Sequence, residues 1–143
     1  MKSKKMKSQI LIFIIIFVLV QIGIVVGYQS TPWVAPDKYQ SMANPVASNG
    51  TSIAAGKALY IKNCQDCHGK KGLGDGTKAP DLKTTPADMT KASFQAQSDG
   101  SLFYKISEGR GDMPRAKKDL PDDEDRWNLV NYVRTFKSGA AKN

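Results

Sequence analysis

Histidine and cysteine are nearly missing from this chain of 143 residues, which has one of the first and two of the second. That scarcity excludes a structural zinc site, because no further Cys or His completes the four ligands zinc requires. No stretch alternates apolar and polar residues at a period of two, which argues against strands and removes the βαβ setting of a thioredoxin-like pair. The lysines are scattered, and nowhere do aromatic and basic residues interleave as a nucleic-acid platform would need, so no nucleic-acid partner is expected. The glycines of "GLGDG" at 72–76 follow no strand and open no helix at the right offset, which excludes a phosphate-binding fingerprint.

What is present begins with a long apolar run. Lys2, Lys4, Lys5 and Lys7 precede "ILIFIIIFVLVQIGIVVG", residues 10–27, in which Gln21 is the one strongly polar member. Eighteen helical residues at roughly 1.5 Å each reach about 27 Å, close to the ~30 Å apolar thickness of a bilayer. The run exceeds the roughly 7 to 15 residues of a signal-peptide core, and no A-x-A site follows it. A membrane anchor is therefore expected over 10–28, with 1–9 a basic cytoplasmic segment; cleavage after Gly27 stays open. In both readings the four lysines keep the N-terminus inside and the remainder is exported. The formal charge of +8 falls to +4 without them, 17 basic against 13 acidic residues, a mildly basic surface suited to an acidic partner.

Residues 29–50 carry prolines, serines and asparagines with no apolar period and are expected to form a tether. Within it, Asn49-Gly50-Thr51 reads as an accidental sequon. The folded domain is expected over 51–143. In "SIAAGKALYIKNC", Ile53, Gly56 and Tyr60 recur at helical spacing, with a Ser or Thr as cap. "DGSLFYKISEG" predicts a second helix with Leu102, Phe103 and Ile106 on one stripe and Gly109 at its end. "DDEDRWNLVNYVRTFKSG" predicts a third, capped by Asp122 and burying Leu129, Tyr132, Val133 and Phe136. The expected fold class is all-α. So small a domain with long loops buries a limited core and needs a staple, and the loop from Gly69 to Lys91 is long unless it wraps something.

Both cysteines and the histidine fall within "NCQDCHG" at 63–69. Three readings compete: a disulfide or redox-active pair, which export permits; zinc, for which ligands are wanting; and covalent haem attachment, for which C-x-x-C-H is the signature. The third fits best. Positions i and i+3 of a helical turn share a side, so Cys64 and Cys67 can both reach one edge of a porphyrin while His68 faces the iron. The macrocycle then supplies the missing core and gives the 69–91 loop something to wrap.

Together with Gly56 and Tyr60, "APDL" at 79–82, "DGSLFYKISEGRGDMP" at 99–114 and "DRWNLVNYVR" at 125–134, the motif resembles the class I, monohaem c-type cytochromes of the membrane-anchored bacterial type. The resemblance covers roughly residues 50–138. It implies the small cytochrome c fold, about three main helices around one haem c held by thioethers to Cys64 and Cys67, with an N-terminal transmembrane helix. It also implies His68 as proximal ligand, with the Pro80 carbonyl accepting its ring N–H, and Met113 as the distal thioether ligand. Met113 lies in "GRGDMP", where Gly109 and Gly111 let the chain turn and Pro114 stiffens the exit. Met89 is the rival, with packing its expected role. The "RGD" at 110–112 is read as coincidental to adhesion, with Arg110 a candidate partner of a haem propionate.

A His and Met pair leaves no open position on iron, so the expected function is single-electron transfer rather than catalysis. The chain also lacks the distal His and Arg pair of peroxide cleavage. The carrier would work between respiratory complexes on the outer, periplasmic side of a bacterial inner membrane. Lys70, Lys71, Lys78, Arg115, Lys117 and Lys118 are candidates for docking acidic redox partners. The alternatives are a fixed haem subunit of a quinol-oxidising or terminal oxidase complex, or a haem sensor or weak peroxidase.

Overall fold

The computed structural model describes residues 32–137. The chain divides into two compact units at residues 33 and 34, and the account below concerns the second. The apolar run at 10–28 lies outside the described residues, among which no helix is long and apolar enough to cross a membrane.

Among the described residues the fold is all helical, as expected, with one isolated bridge between Arg110 and Met113. In chain order the helices are α1 Asp37–Gln40, α2 Gly50–Asn63, α3 Gln65–His68, α4 Ala92–Gln95, α5 Asp99–Glu108 and α6 Asp123–Arg134. Short 3-10 turns occupy Ala79–Asp81 and Ala116–Lys118.

The three long helices match the expected segments because their end signals are local. Asp122 caps α6 by accepting the Glu124 amide at 2.9 Å, and three acids follow in the first turn, where the helix dipole favours them. Ser98 caps α5, and Gly109 closes it at a φ of +60°. The cap of α2 is Asn49, ahead of the expected Ser or Thr: its Oδ1 accepts from Ser52 N at 3.0 Å, and Ser52 Oγ accepts from Asn49 N at 3.1 Å. The asparagine of the sequon thus starts a helix, a reciprocal cap worth about 1 kcal/mol.

Helices α2 and α6 cross at Gly56. A Cβ there would lie 1.9 Å from the Asn128 carbonyl oxygen and 2.9 Å from Tyr132 Cβ, so only glycine admits this approach. One turn on, Tyr60 packs edge-on against Phe136 and tilts against Tyr132, both at 5.3 Å between ring centroids. Tyr60, Met89, Leu120, Leu129 and Val133 form this core. A second core lies between α5 and α6, where Leu102, Phe103, Trp127 and Val130 meet and Phe103 stacks on Trp127 at 4.1 Å.

Helix α6 is buried well beyond its expected stripe, since α2 covers one side and α5 another; Arg126, Asn128 and Asn131 are all buried. Two of these polar groups are tied down. Arg126 donates to the Leu120 carbonyl and pairs with Asp123, while Asn131 anchors the segment ahead of α2.

That segment, composed like a tether, folds onto the domain from residue 34 on. Asn44 Nδ2 donates to Asn131 Oδ1 at 2.8 Å, and Asn131 Nδ2 donates to the Val46 carbonyl and Ser52 Oγ, each at 3.2 Å. The Tyr39 ring lies 4.8 Å from that of Tyr104, and a Cβ on Gly100 would sit 2.0 Å from the Tyr39 carbonyl. Side-chain amides and close backbone approach hold this strap, and neither leaves an apolar period in the sequence.

Candidate functional site

The C-x-x-C-H stretch is a second short helix budding from the end of the first. Cys64 closes α2, its N–H donating to the Tyr60 carbonyl at 2.9 Å, and its own carbonyl accepts from Cys67 N at 3.2 Å and His68 N at 2.9 Å. Gly69, at a φ of +78°, ends α3. Buried Tyr60 fixes that exit: its hydroxyl donates to the Gly69 carbonyl at 2.7 Å, and burial raises its pKa.

The chain then turns back on the motif. Gly74 N donates to the His68 carbonyl at 2.9 Å, Gly76 N to Cys67 at 3.2 Å and Lys78 N to Asp66 at 2.8 Å, a ladder covering three successive carbonyls of the short helix. Lys78 adds an exposed ion pair to Asp66. The glycines of 72–76 therefore serve approach to the chain itself. A Cβ on Gly76 would lie 2.2 Å from the Asp66 carbonyl oxygen, one on Gly72 2.7 Å from the Phe136 ring, and one on Gly74 2.4 Å from the Pro86 carbonyl oxygen.

Cys64 and Cys67 are both free thiols, half-buried and unlinked to one another. Burial pushes the Cys64 thiol up to about 12, with Cys67 adding to the shift. Burial likewise lowers the His68 pKa, against an opposing pull from the Ala87 backbone, so the ring is neutral at pH 7. Its Nδ1 is buried without a hydrogen-bond partner. The bond to the Pro80 carbonyl implied by the resemblance is therefore not made here. A buried orphan imidazole nitrogen beside two free thiols at i and i+3 suits a covalently held haem: a neutral imidazole is a metal ligand, and the thiols are the atoms that thioethers need. Among the described residues no group of three or more Cys, His, Asp or Glu side chains is arranged to hold a metal ion by itself.

Met113 stands in a separate loop. Arg110 N donates to the Met113 carbonyl at 3.0 Å and Met113 N to the Arg110 carbonyl at 3.1 Å, closing a two-residue hairpin whose first central residue, Gly111, has a φ of +58°. Gly109 packs beneath it, where a Cβ would lie 2.4 Å from the Met113 carbonyl oxygen. Met113 is half-buried at the exit of this turn. Met89, the rival, is a core residue in contact with the Tyr60 cluster, its amide donating to the Gly72 carbonyl at 2.6 Å.

Two residues here escaped sequence reasoning. Asp112 Oδ2 accepts from Thr84 N at 3.0 Å, linking the Met113 turn to the loop after Pro80. Glu108 and Lys117 pair at 2.7 Å across the loop's base. No sequence signal pairs residues 28 apart through a backbone amide. The nine-residue span from an acid to a base around "GRGDMP" did offer a hint of the second.

Comparisons with known proteins agree with this geometry. The family described as "Cytochrome C oxidase, cbb3-type, subunit III" matches residues 51–133. A curated relative, "Cbb3-type cytochrome c oxidase subunit CcoP" of Azospirillum sp. (strain B510), is 32% identical over 109 residues, 71% of this chain and 34% of that protein. The chain thus spans about a third of the length of that relative. Among solved structures, a chain of the Kuenenia stuttgartiensis reducing HAO-like protein complex superposes with a TM-score of 0.61 at 26% identity, over 79% of this chain and 54% of the other.

Proposed function

We propose, from the premise that the chain belongs to the family of cytochrome c oxidase, cbb3-type, subunit III, that its domain is a single-electron carrier built on one covalently bound haem c. The observation that carries this reading is the buried His68 imidazole, its Nδ1 without a hydrogen-bond partner, set beside the free Cys64 and Cys67 thiols. Cys64 and Cys67, in the one C-x-x-C-H of this sequence, would form the two thioethers. His68 and Met113 would hold the haem's iron. A haem so held supplies one-electron oxidation and reduction at its iron.

The chain's own residues do the rest. Burial keeps His68 neutral and ready to ligate. Tyr60 and the 74–78 ladder hold the motif still, and the Gly109 to Pro114 turn presents Met113. Two such ligands would leave no position for oxygen or peroxide, so the domain would carry electrons and not transform a substrate.

The family membership and the likeness to CcoP favour work as a haem subunit of an oxidase complex in the bacterial inner membrane, the domain facing the periplasm and residues 10–28 as the anchor. The second reading, a tethered shuttle between respiratory complexes, draws on the basic surface. Lys70, Lys71, Lys78, Arg115, Lys117 and Lys118 are all exposed, but Lys78 and Lys117 are paired with Asp66 and Glu108. Four unpaired-in-salt-bridge charges make a weak steering field, which also favours the subunit reading. Purification in mild detergent separates the two, since a subunit stays with stoichiometric partners and a shuttle leaves alone.

Intact mass of the membrane-extracted protein tests the site directly: one haem added to the polypeptide is expected, and an unmodified mass overturns the proposal. The ferric spectrum should show a far-red sulfur-to-iron band that Met113→Ala abolishes. A high-spin wild-type spectrum would remove Met113 from the iron and favour the sensor or peroxidase reading.

A further inference from the structure

Each residue of the tripeptide at 110–112 is engaged in the fold. Arg110 is bridged through its backbone to Met113, Gly111 takes the positive φ of the turn, and Asp112 reaches out of the turn to another loop. The Glu108–Lys117 pair and the closely packed Gly109 fasten the turn at its base. A two-residue hairpin fixed at its stem can still swing as a unit. Asp112 adds a fixed point at the tip, because its Oδ2 accepts the Thr84 amide at 3.0 Å and Thr84 belongs to the loop that leads away from the C-x-x-C-H ladder.

We propose that Asp112 is a positioning residue: by accepting the Thr84 N–H it latches the Met113 turn to the 82–91 loop and so keeps the Met113 side chain from leaving the iron. This deepens, and rests on, the reading of Met113 as an axial ligand. The latch is a hydrogen bond to a backbone amide and not a charge effect, so an asparagine, whose amide oxygen also accepts, maintains it. Its loss releases the turn without removing any group that touches the haem.

The test uses the haem-loaded protein and three variants, Asp112→Ala, Asp112→Asn and Met113→Ala. Imidazole added to the ferric protein competes for the sixth position, and its displacement of the far-red band gives an apparent affinity. Asp112→Ala is expected to raise that affinity roughly two- to tenfold, the factor by which one net hydrogen bond biases an opening equilibrium. Asp112→Asn should restore the wild-type value. Amide exchange at Thr84 should quicken in Asp112→Ala and not in Asp112→Asn, a readout independent of the iron. Equal imidazole affinities for wild type and Asp112→Ala overturn the proposal, as does an Asp112→Asn variant as weak as the alanine. A wild-type protein without the far-red band, matching Met113→Ala, overturns the ligand reading and the positioning role with it, and Thr84 protection then reports the latch as structural only.

Discussion

The two halves of this domain are held by different forces. On one side α2, α5 and α6 interlock through aromatic rings and a glycine crossing, and apolar burial sets the geometry. On the other, residues 69–91 and 109–116 run without long helices and are held by backbone amides on carbonyls, glycines in tight approach and a few side-chain ties. The helical side needs nothing but the chain to be complete. The loop side includes the 74–78 stretch that covers the motif carrying the orphan His68 nitrogen and the two thiols. A domain divided in this way lets stability reside in one half while the other is free to be shaped by a cofactor.

Substitutions distinguish the halves. The largest effect is expected from Gly56→Val, whose side chain would drive into the Asn128 carbonyl. Overpacking at a backbone contact should cost about 3 kcal/mol, read from the midpoint of denaturant unfolding. An unchanged midpoint would show that the crossing is not rigid. Next comes Asn131→Ala, which strands Asn44 and Ser52 together and frees the strap. A loss of about 2 kcal/mol is expected, with limited proteolysis then cutting within 34–49 where the wild type resists.

Tyr60→Phe lies on the border between the halves. It keeps the ring packing and removes the hydroxyl that holds the Gly69 carbonyl. About 1 kcal/mol should be lost, and the larger change should appear in amide exchange over 69–78 and not in α2 or α6. If both regions loosen equally, the division into halves is wrong. The smallest effect belongs to the Glu108–Lys117 pair, whose side chains are 29% and 43% exposed. Lys117 holds the Glu108 carboxyl below its ordinary range, so the pair's contribution is present above the unfolded carboxylate pKa and fades as pH falls through the lower folded value. Glu108→Gln should cost well under about 1 kcal/mol at neutral pH and erase that part of the acid sensitivity.

The helical half was legible in the sequence because its signals are local: Asp122 before an acidic turn, Gly109 after a stripe, apolar residues at three and four. The strap at 34–49 was not, since its ties run through Asn44 and Asn131, polar residues 87 apart that look like surface in any window. Arg126 and Asn128 lie outside the expected stripe and are buried all the same, burial on α6 being imposed by two neighbouring helices at once. At the site, C-x-x-C-H announced itself by spacing alone. The glycines after it carry no such signature: Gly74 and Gly76 face the chain's own backbone and Gly72 the Phe136 ring, neighbours that only the fold reveals.

The return of residues 74–78 over the carbonyls of Asp66, Cys67 and His68 also bears on how the proposed cofactor would be installed. Once that stretch has settled, Cys64 is a half-buried thiol with a pKa of about 12, poorly disposed to react with anything arriving from outside. A porphyrin joined there, as proposed, would be expected to meet a chain that has not yet closed, the finished shape being the outcome of the attachment and not its workbench.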